Sequence, residues 1–375
     1  MKKLKFFLIS LAIILSISLS SCVAKISEIA DDLVEQITTG DSTGNVKTSN
    51  QSTTTEQVKE EKEIAKYESD YTTLYGYNQL KYENYSSILI DVYEKFYEAS
   101  SDFLNSDEDY EIQTESGYSY VVVDKYIVSS RYIDVVASAW ITFIEENPIY
   151  YFLYTGYTAD EISRGKYAFY LLADATYATA EARAEANALI IEMINDFNLE
   201  LAAIETEMTD YDKAKLIHDF ICNRIDYAYD EDGDASSEIW AHNIIGVASK
   251  LGAVCESYAE TYLFLSRLVN LESLIVLGYS GQTGHAWNYT CIDGVWYGVD
   301  ATWDDEKEIN YNYFLVSSRI MNKEHSANSN YYFGIDYQVS LPTLSQSSYD
   351  TSLDQEEFII PTRPTRPGRN PWFHF

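Results

Sequence analysis

The sequence predicts an α+β protein whose core packs a cysteine-bearing helix on an antiparallel sheet, preceded by a mostly helical N-terminal region. Three observations lead there. Ala259, Tyr262, Leu265 and Val269 recur at helical spacing after Gly252-Ala253-Val254-Cys255, so a helix opens at a glycine turn with Cys255 in its first turn. Glu272 to Tyr279 (ESLIVLGY) reads as a short buried strand, and alternating runs from His285 to Ile292 and from Val295 to Asp300 flank Asp293-Gly294, the strongest short-range hairpin signal. Upstream, residues 60–205 read as helices crowded with tyrosine and interrupted by an alternating run, Tyr118 to Val128.

The elements follow in order along 375 residues, of which 46% are hydrophobic, enough for a sizeable core. Met1-Lys2-Lys3-Leu4-Lys5 is a basic start, and Phe6 to Leu19 is an apolar stretch too short for a bilayer span and normal for a signal peptide. It ends in Leu19-Ser20-Ser21-Cys22, which resembles the lipobox of bacterial lipoproteins. That resemblance implies cleavage after residue 21 and a lipid on Cys22, placing the protein outside the cytoplasm on a membrane surface. Residues 22–59 would then hold the anchor and a flexible tether, the polar Gly40 to Thr55 (GDSTGNVKTSNQSTTT). Such a segment has an r.m.s. reach of roughly 20–25 Å.

Residues 206–345 form the second expected unit. Ala214, Ile217, Ile221 and Ile225 mark a helix over Tyr211 to Ile225, with His218 and Cys222 beside the stripe at i, i+4. Two such residues could share a metal, but a third ligand is wanting, and packing is the reading preferred. Asp230-Glu231-Asp232-Gly233-Asp234 has its glycine misplaced for a calcium loop and reads as a solvated turn. Residues 346–375 are a tail whose end, Pro361 to Phe375, is rich in proline and arginine and reads as extended.

Charge and cysteine usage narrow the function. A formal net charge of −33 repels nucleic acid and anionic lipid, so neither is an expected partner, and any membrane attachment falls to the lipid. Besides Cys22 only Cys222, Cys255 and Cys291 remain, an odd number that leaves at least one thiol free outside the cell. Cys255 at the start of a helix should feel the positive end of the helix dipole, lowering its pKa and favouring the nucleophilic thiolate. It should then alkylate at a pH where Cys222 and Cys291 do not. The hairpin supplies partners. With Ile292 facing Val295, Trp287 faces Asp300 and His285 faces Thr302, so His285 and Asp300 are diagonal neighbours on one face, roughly 7–8 Å apart at the backbone. A carboxylate that orients an imidazole, which in turn activates a thiol, is the logic of a catalytic triad. Cys291 is expected to pack.

The words Gly252-Ala253-Val254-Cys255-Glu256-Ser257-Tyr258-Ala259, Gly284-His285-Ala286-Trp287-Asn288 and Asp293-Gly294-Val295-Trp296-Tyr297-Gly298-Val299-Asp300-Ala301-Thr302-Trp303-Asp304 resemble the transglutaminase-like superfamily, the papain-related cysteine enzymes. Leu216 to Phe220 and Asn312 to Leu315 look like its flanks, so the resemblance covers about residues 207–330. It implies Cys255 as nucleophile, His285 as base and acid, and Asp300 as the orienting carboxylate. Ser257 stands where many bacterial members carry glycine, which would narrow the entrance beside the nucleophile. Trp240 and His242 lie upstream where an oxyanion donor could come from, or where packing residues would.

The function expected is acyl transfer or hydrolysis at peptide or glutamine amide bonds, with no cofactor. Its substrates would be proteins or peptides, such as cell-wall peptides or surface proteins. The alternative is a non-catalytic surface lipoprotein that uses the fold and the tyrosine-rich region to bind protein or cell wall.

Overall fold

The computed structural model describes residues 62–115, 117–327, 339–350 and 352. The expected leader, Cys22, the tether and the proline-rich end of the tail lie outside the described residues. Among the described residues no helix is long and apolar enough to cross a membrane.

The first half builds helices α1 (Tyr75–Leu80), α2 (Ser86–Asn105), α3 (Ile133–Glu146) and α4 (Ala180–Ala202) around strands β1 (Gln113–Glu115), β2 (Tyr118–Ser129), β3 (Thr158–Ser163) and β4 (Lys166–Asp174). The strands form one antiparallel sheet in the order β1-β2-β4-β3. Helices make up most of this region, as expected, and the sheet adds β1, β3 and β4 to the run that the sequence marked as a strand. Tyr167 to Leu171 in β4 are all buried or nearly so, and a continuous apolar run lacks the alternation that marks a half-exposed strand.

Helix α2 buries Leu89, Val92, Tyr93, Phe96 and Phe103 along one stripe. Phe96 meets Trp140 at 5.4 Å, Phe143 at 5.9 Å and Phe169 of β4 at 5.8 Å between ring centroids. The tyrosines serve as core here, with their hydroxyls satisfied. Tyr150 donates to Glu68 at 2.8 Å and Tyr151 to Asn187 Oδ1 at 2.9 Å, while Tyr93 Oη accepts from Asn147 at 3.0 Å.

The second half contains α5 (Asp210–Arg224), α6 (Ile244–Ala248) and α7 (Cys255–Leu268), then β5 (Ser273–Ser280), β6 (Thr283–Ile292) and β7 (Val295–Val299). A single turn α8 (Ala301–Asp304), α9 (Ser318–Glu324) and the short β8 (His325–Ala327) follow. Thr209 and Asp212 close a reciprocal capping box at the start of α5. The sheet order is β7-β6-β5-β8, all antiparallel, and α7 lies across β5 and β6. Strand β8 seats closely on β5 because Gly278 has no Cβ. One added there would come 2.3 Å from Ser326 O and 2.6 Å from the Trp287 ring.

Asp293 and Gly294 both take positive φ, 52° and 79°, as a two-residue primed turn requires. The register runs as expected from Ile292↔Val295 to Asn288↔Val299. The chain then leaves the sheet, so the expected pairings of Trp287 with Asp300 and His285 with Thr302 do not form. Asp300 instead caps α8: its backbone N–H donates to Tyr313 O at 2.9 Å and its Oδ1 accepts from Trp303 N–H at 3.2 Å. The two halves share one continuous hydrophobic core, which runs from Ile64 to Leu344 across residue 205.

Candidate active site

The sequence brings Cys255 to its place through a constrained approach. Gly252 holds φ at +121°, and a Cβ there would lie 2.9 Å from Asp226 O. Ala253 O accepts from Ala228 N–H and Val254 N–H donates to Ala241 O, each at 2.9 Å, so the segment before the cysteine is strapped on both sides. Helix α7 opens at Cys255 itself, with Val254 as an N-cap that offers no side-chain acceptor. The backbone N–H groups of Glu256 and of Ala286 from β6 act on the sulfur in the direction that lowers its pKa. Cys255 packs with Ala259, Leu263, Ile275, Leu277 and Ala286, and is only 3% exposed.

That burial overturns the expectation of a depressed thiol pKa. Burial pushes the Cys255 thiol up to about 12, and the two N–H groups lower it without offsetting the loss of water. Cys291 rises to about 11 and Cys222 also rises, both through burial first. All three thiols are free, so selective labelling of Cys255 at low pH is not what this closed state gives.

His285 lies in β6 next to Ala286 and Asp300 lies at the end of the returning strand, both buried. His285 Nε2 is 2.7 Å from Asp300 Oδ2. The hairpin therefore joins the two expected residues, although the capping turn rather than a strand pairing delivers the carboxylate. Burial works to raise the Asp300 carboxyl, but the imidazoles of His285 and His325 hold it well below the usual carboxylate range.

His325 is the residue that sequence reasoning missed. Its Nε2 is 2.9 Å from the same Asp300 Oδ2, and it stands 25 residues downstream on a strand too short to announce itself. Its burial pushes its imidazole below the ordinary histidine value against the pull of Asp300. His285, Asp300 and His325 have ligand atoms within 4.8 Å of one another, a donor set that could hold a divalent ion. As they stand, both rings direct Nε2 at one carboxylate oxygen, which two protons already satisfy.

The other singled-out residues pack. His218 sits between Asp219 at 3.1 Å and Asp304 at 3.3 Å, while Cys222 donates to Ala301 O at 3.4 Å, so the pair shares no ligand position. Asp230 Oδ1 accepts from the N–H groups of Asp232 and Asp234, closing the acidic turn on itself. His242 bridges Glu256 and Ser236 O. Trp240 packs against the cluster of Ala228, Ala241 and Val254. Ser257 does not narrow an entrance: it is fully buried, and its hydroxyl donates to Asn243 O at 2.5 Å. It has room because Gly246 opposite lacks a Cβ, which would lie 3.0 Å from Ser257 Oγ.

With this geometry in place, comparison with known proteins is informative. Residues 199–301 match a family model described as the Transglutaminase-like superfamily, a span that holds Cys255, His285 and Asp300 and stops short of His325. Over 107 residues the chain is 27% identical to the Kyphoscoliosis peptidase of Homo sapiens. That match takes in 25% of this chain and 16% of the relative, so the chain spans a small part of its length. Among solved structures, one of a TGase is 15% identical and covers 41% of this chain and 45% of that one, with a TM-score of 0.27. Another, of a cysteine-protease candidate from Cytophaga hutchinsonii, is 14% identical and covers 55% of this chain and 71% of that one, with a TM-score of 0.24. The second half of this chain packs a helix on an antiparallel sheet, and residues 199–301 are similar to the transglutaminase-like superfamily.

Proposed function

We propose that this protein is a cysteine-nucleophile enzyme that acylates Cys255 with a peptide or glutamine side-chain carbonyl, using His285 and Asp300 as the rest of a triad. The observation that carries the reading is the buried 2.7 Å contact of His285 Nε2 with Asp300 Oδ2, one residue from Ala286, which packs against Cys255. A carboxylate only accepts, so His285 keeps a hydrogen on Nε2 and has Nδ1 left as its base. His285 takes the thiol proton as sulfur attacks the carbonyl carbon, and returns it to the departing amine as the C–N bond breaks. Water or a primary amine then attacks the thioester and releases Cys255. Water makes the enzyme a peptidase or deamidase, and an amine makes it a transglutaminase. The name of the human relative favours hydrolysis as the first branch to test. In the same reading Cys22 carries a lipid, and substrates are peptides or proteins at the outer face of a membrane.

The burial of Cys255 favours one competing reading, a binding lipoprotein that keeps the fold without turnover. Incubating the full chain and its Cys255→Ala variant with mixed protein substrate and a labelled primary amine separates them. Cleavage, deamidation or amine adducts that disappear in the variant support the enzyme. Identical products from both proteins would remove it.

A further inference from the structure

Asp300 Oδ2 is reached by two imidazoles, and the proposed chemistry uses only one. His325 opens β8, whose pairing with β5 sets Ser280 opposite His325 and Gly278 opposite Ala327. Its ring is 2% exposed and lies 4.5 Å from Trp303, 4.9 Å from Trp287, 5.2 Å from Tyr313 and 5.3 Å from His285, centroid to centroid. His325 Nδ1 is buried with no hydrogen-bond partner among the described residues. A hydrogen placed there would be a buried donor without an acceptor, so the ring is held neutral with its hydrogen on Nε2, pointing at Asp300. Asp300 then receives three donors, two imidazoles on Oδ2 and Trp303 N–H on Oδ1. A carboxylate held on both oxygens cannot rotate without breaking at least one of these bonds.

We propose that His325 is a positioning residue: its Nε2–H fixes the Asp300 carboxylate so that Oδ2 stays aimed at His285, which keeps the tautomer whose Nδ1 can accept the Cys255 proton. The inference rests on the catalytic reading above for its effect on rate, but not for its effect on the histidines. Without the His325 donor, Trp303 N–H on Oδ1 is the one remaining bond that steadies Asp300 against His285, so Oδ2 is aimed less firmly and His285 is held less tightly in one orientation. The aromatic cage would still be filled by a residue of similar size, which separates donation from packing.

The test compares the full chain with His325→Leu, which fills the cage without a donor, and His325→Gln, whose amide can reach Asp300. Steady-state kinetics on the substrate found with the Cys255→Ala control are paired with nitrogen NMR of histidine-labelled protein, which reports which ring nitrogen carries hydrogen. The expected result for H325L is a kcat lowered roughly 10- to 100-fold with KM unchanged, the scale of loss that a small misplacement of a catalytic group brings. H325Q should recover most of that loss, and His285 should show a single Nε2–H form in the parent and in H325Q but a mixture in H325L. Full kcat in H325L, or equal impairment in H325L and H325Q, would overturn the proposal. Should H325L not fold, His325→Asn takes its place, because its amide lies at the Nδ1 position and is too short for Oδ2. If the parent itself shows no Cys255-dependent turnover, the catalytic reading fails and the NMR decides this one: an unchanged His285 signal in H325L refutes it, and a mixed signal upholds it.

Discussion

Strand β2 of the first sheet has one fully buried position, Val121, and leaves Tyr118, Asp124, Lys125 and Ile127 to solvent, whereas β6 of the second sheet is buried from Gly284 to Ile292. The consequence lies in what the buried positions carry. The first half fills its interior with rings, such as Phe96, Trp140, Phe143 and Phe169, and places tyrosine hydroxyls on nearby acceptors. Strand β6 carries His285, Asn288 and Thr290 into the interior, each with a named partner on a neighbouring element. Burying such groups is costly unless they are paired, so a strand covered on both faces yet rich in polar residues is where chemistry is expected. Dense aromatic packing, however abundant, points to stability.

The comparison can be broken first at its polar end. Asp300→Asn replaces the carboxylate that fixes the His285 tautomer and should lower kcat by roughly 10³- to 10⁴-fold, while circular dichroism shows the fold intact. A variant with near-full activity would mean that the His285–Asp300 contact is only structural. The aromatic half should respond in the opposite way. Phe96→Ala removes a fully buried ring that touches four others, Tyr126, Trp140, Phe143 and Phe169, and should cost about 3–5 kcal/mol in denaturant unfolding. Its turnover per folded molecule should stay at the parent value; a kcat loss at full folding would show that the two halves are not separable in role.

The smallest effect sharpens the contrast within the second half. Burial lowers the His218 imidazole, but the carboxylates of Asp219 and Asp304 outweigh it and hold it above the ordinary histidine value. A raised histidine contributes stability that is fully present below the unfolded value near pH 6.5 and is lost as pH rises through the folded value. The Tm should therefore fall as pH rises from about 6 to 8, and His218→Asn should flatten that slope. A slope unchanged in the variant would assign the pH dependence elsewhere.

Much of this arrangement was legible before any coordinates. Asp293-Gly294 set the hairpin register as far as Asn288↔Val299, and the capping turn just beyond it brings Asp300 to His285. What the pattern could not foresee was the chain leaving the sheet at Val299, because Asp300 is as good a helix cap as a strand end. β4 escaped notice since it is buried on both faces, and His325 since nothing in its spacing ties it to Asp300. The thiol misled for a different reason. A helix start argues for a low pKa, but burial is a tertiary property, and it dominates at Cys255.

The most direct test of the account is to trap the acyl-enzyme. The full chain, incubated with a peptide carrying an activated glutamine or peptide ester and quenched in acid, is digested and its cysteines examined by mass spectrometry. The account predicts an acid-stable acyl adduct on Cys255, none on Cys222 or Cys291, and its loss in His285→Ala. An adduct spread evenly over the three thiols, or one on Cys255 that His285→Ala leaves untouched, would contradict it.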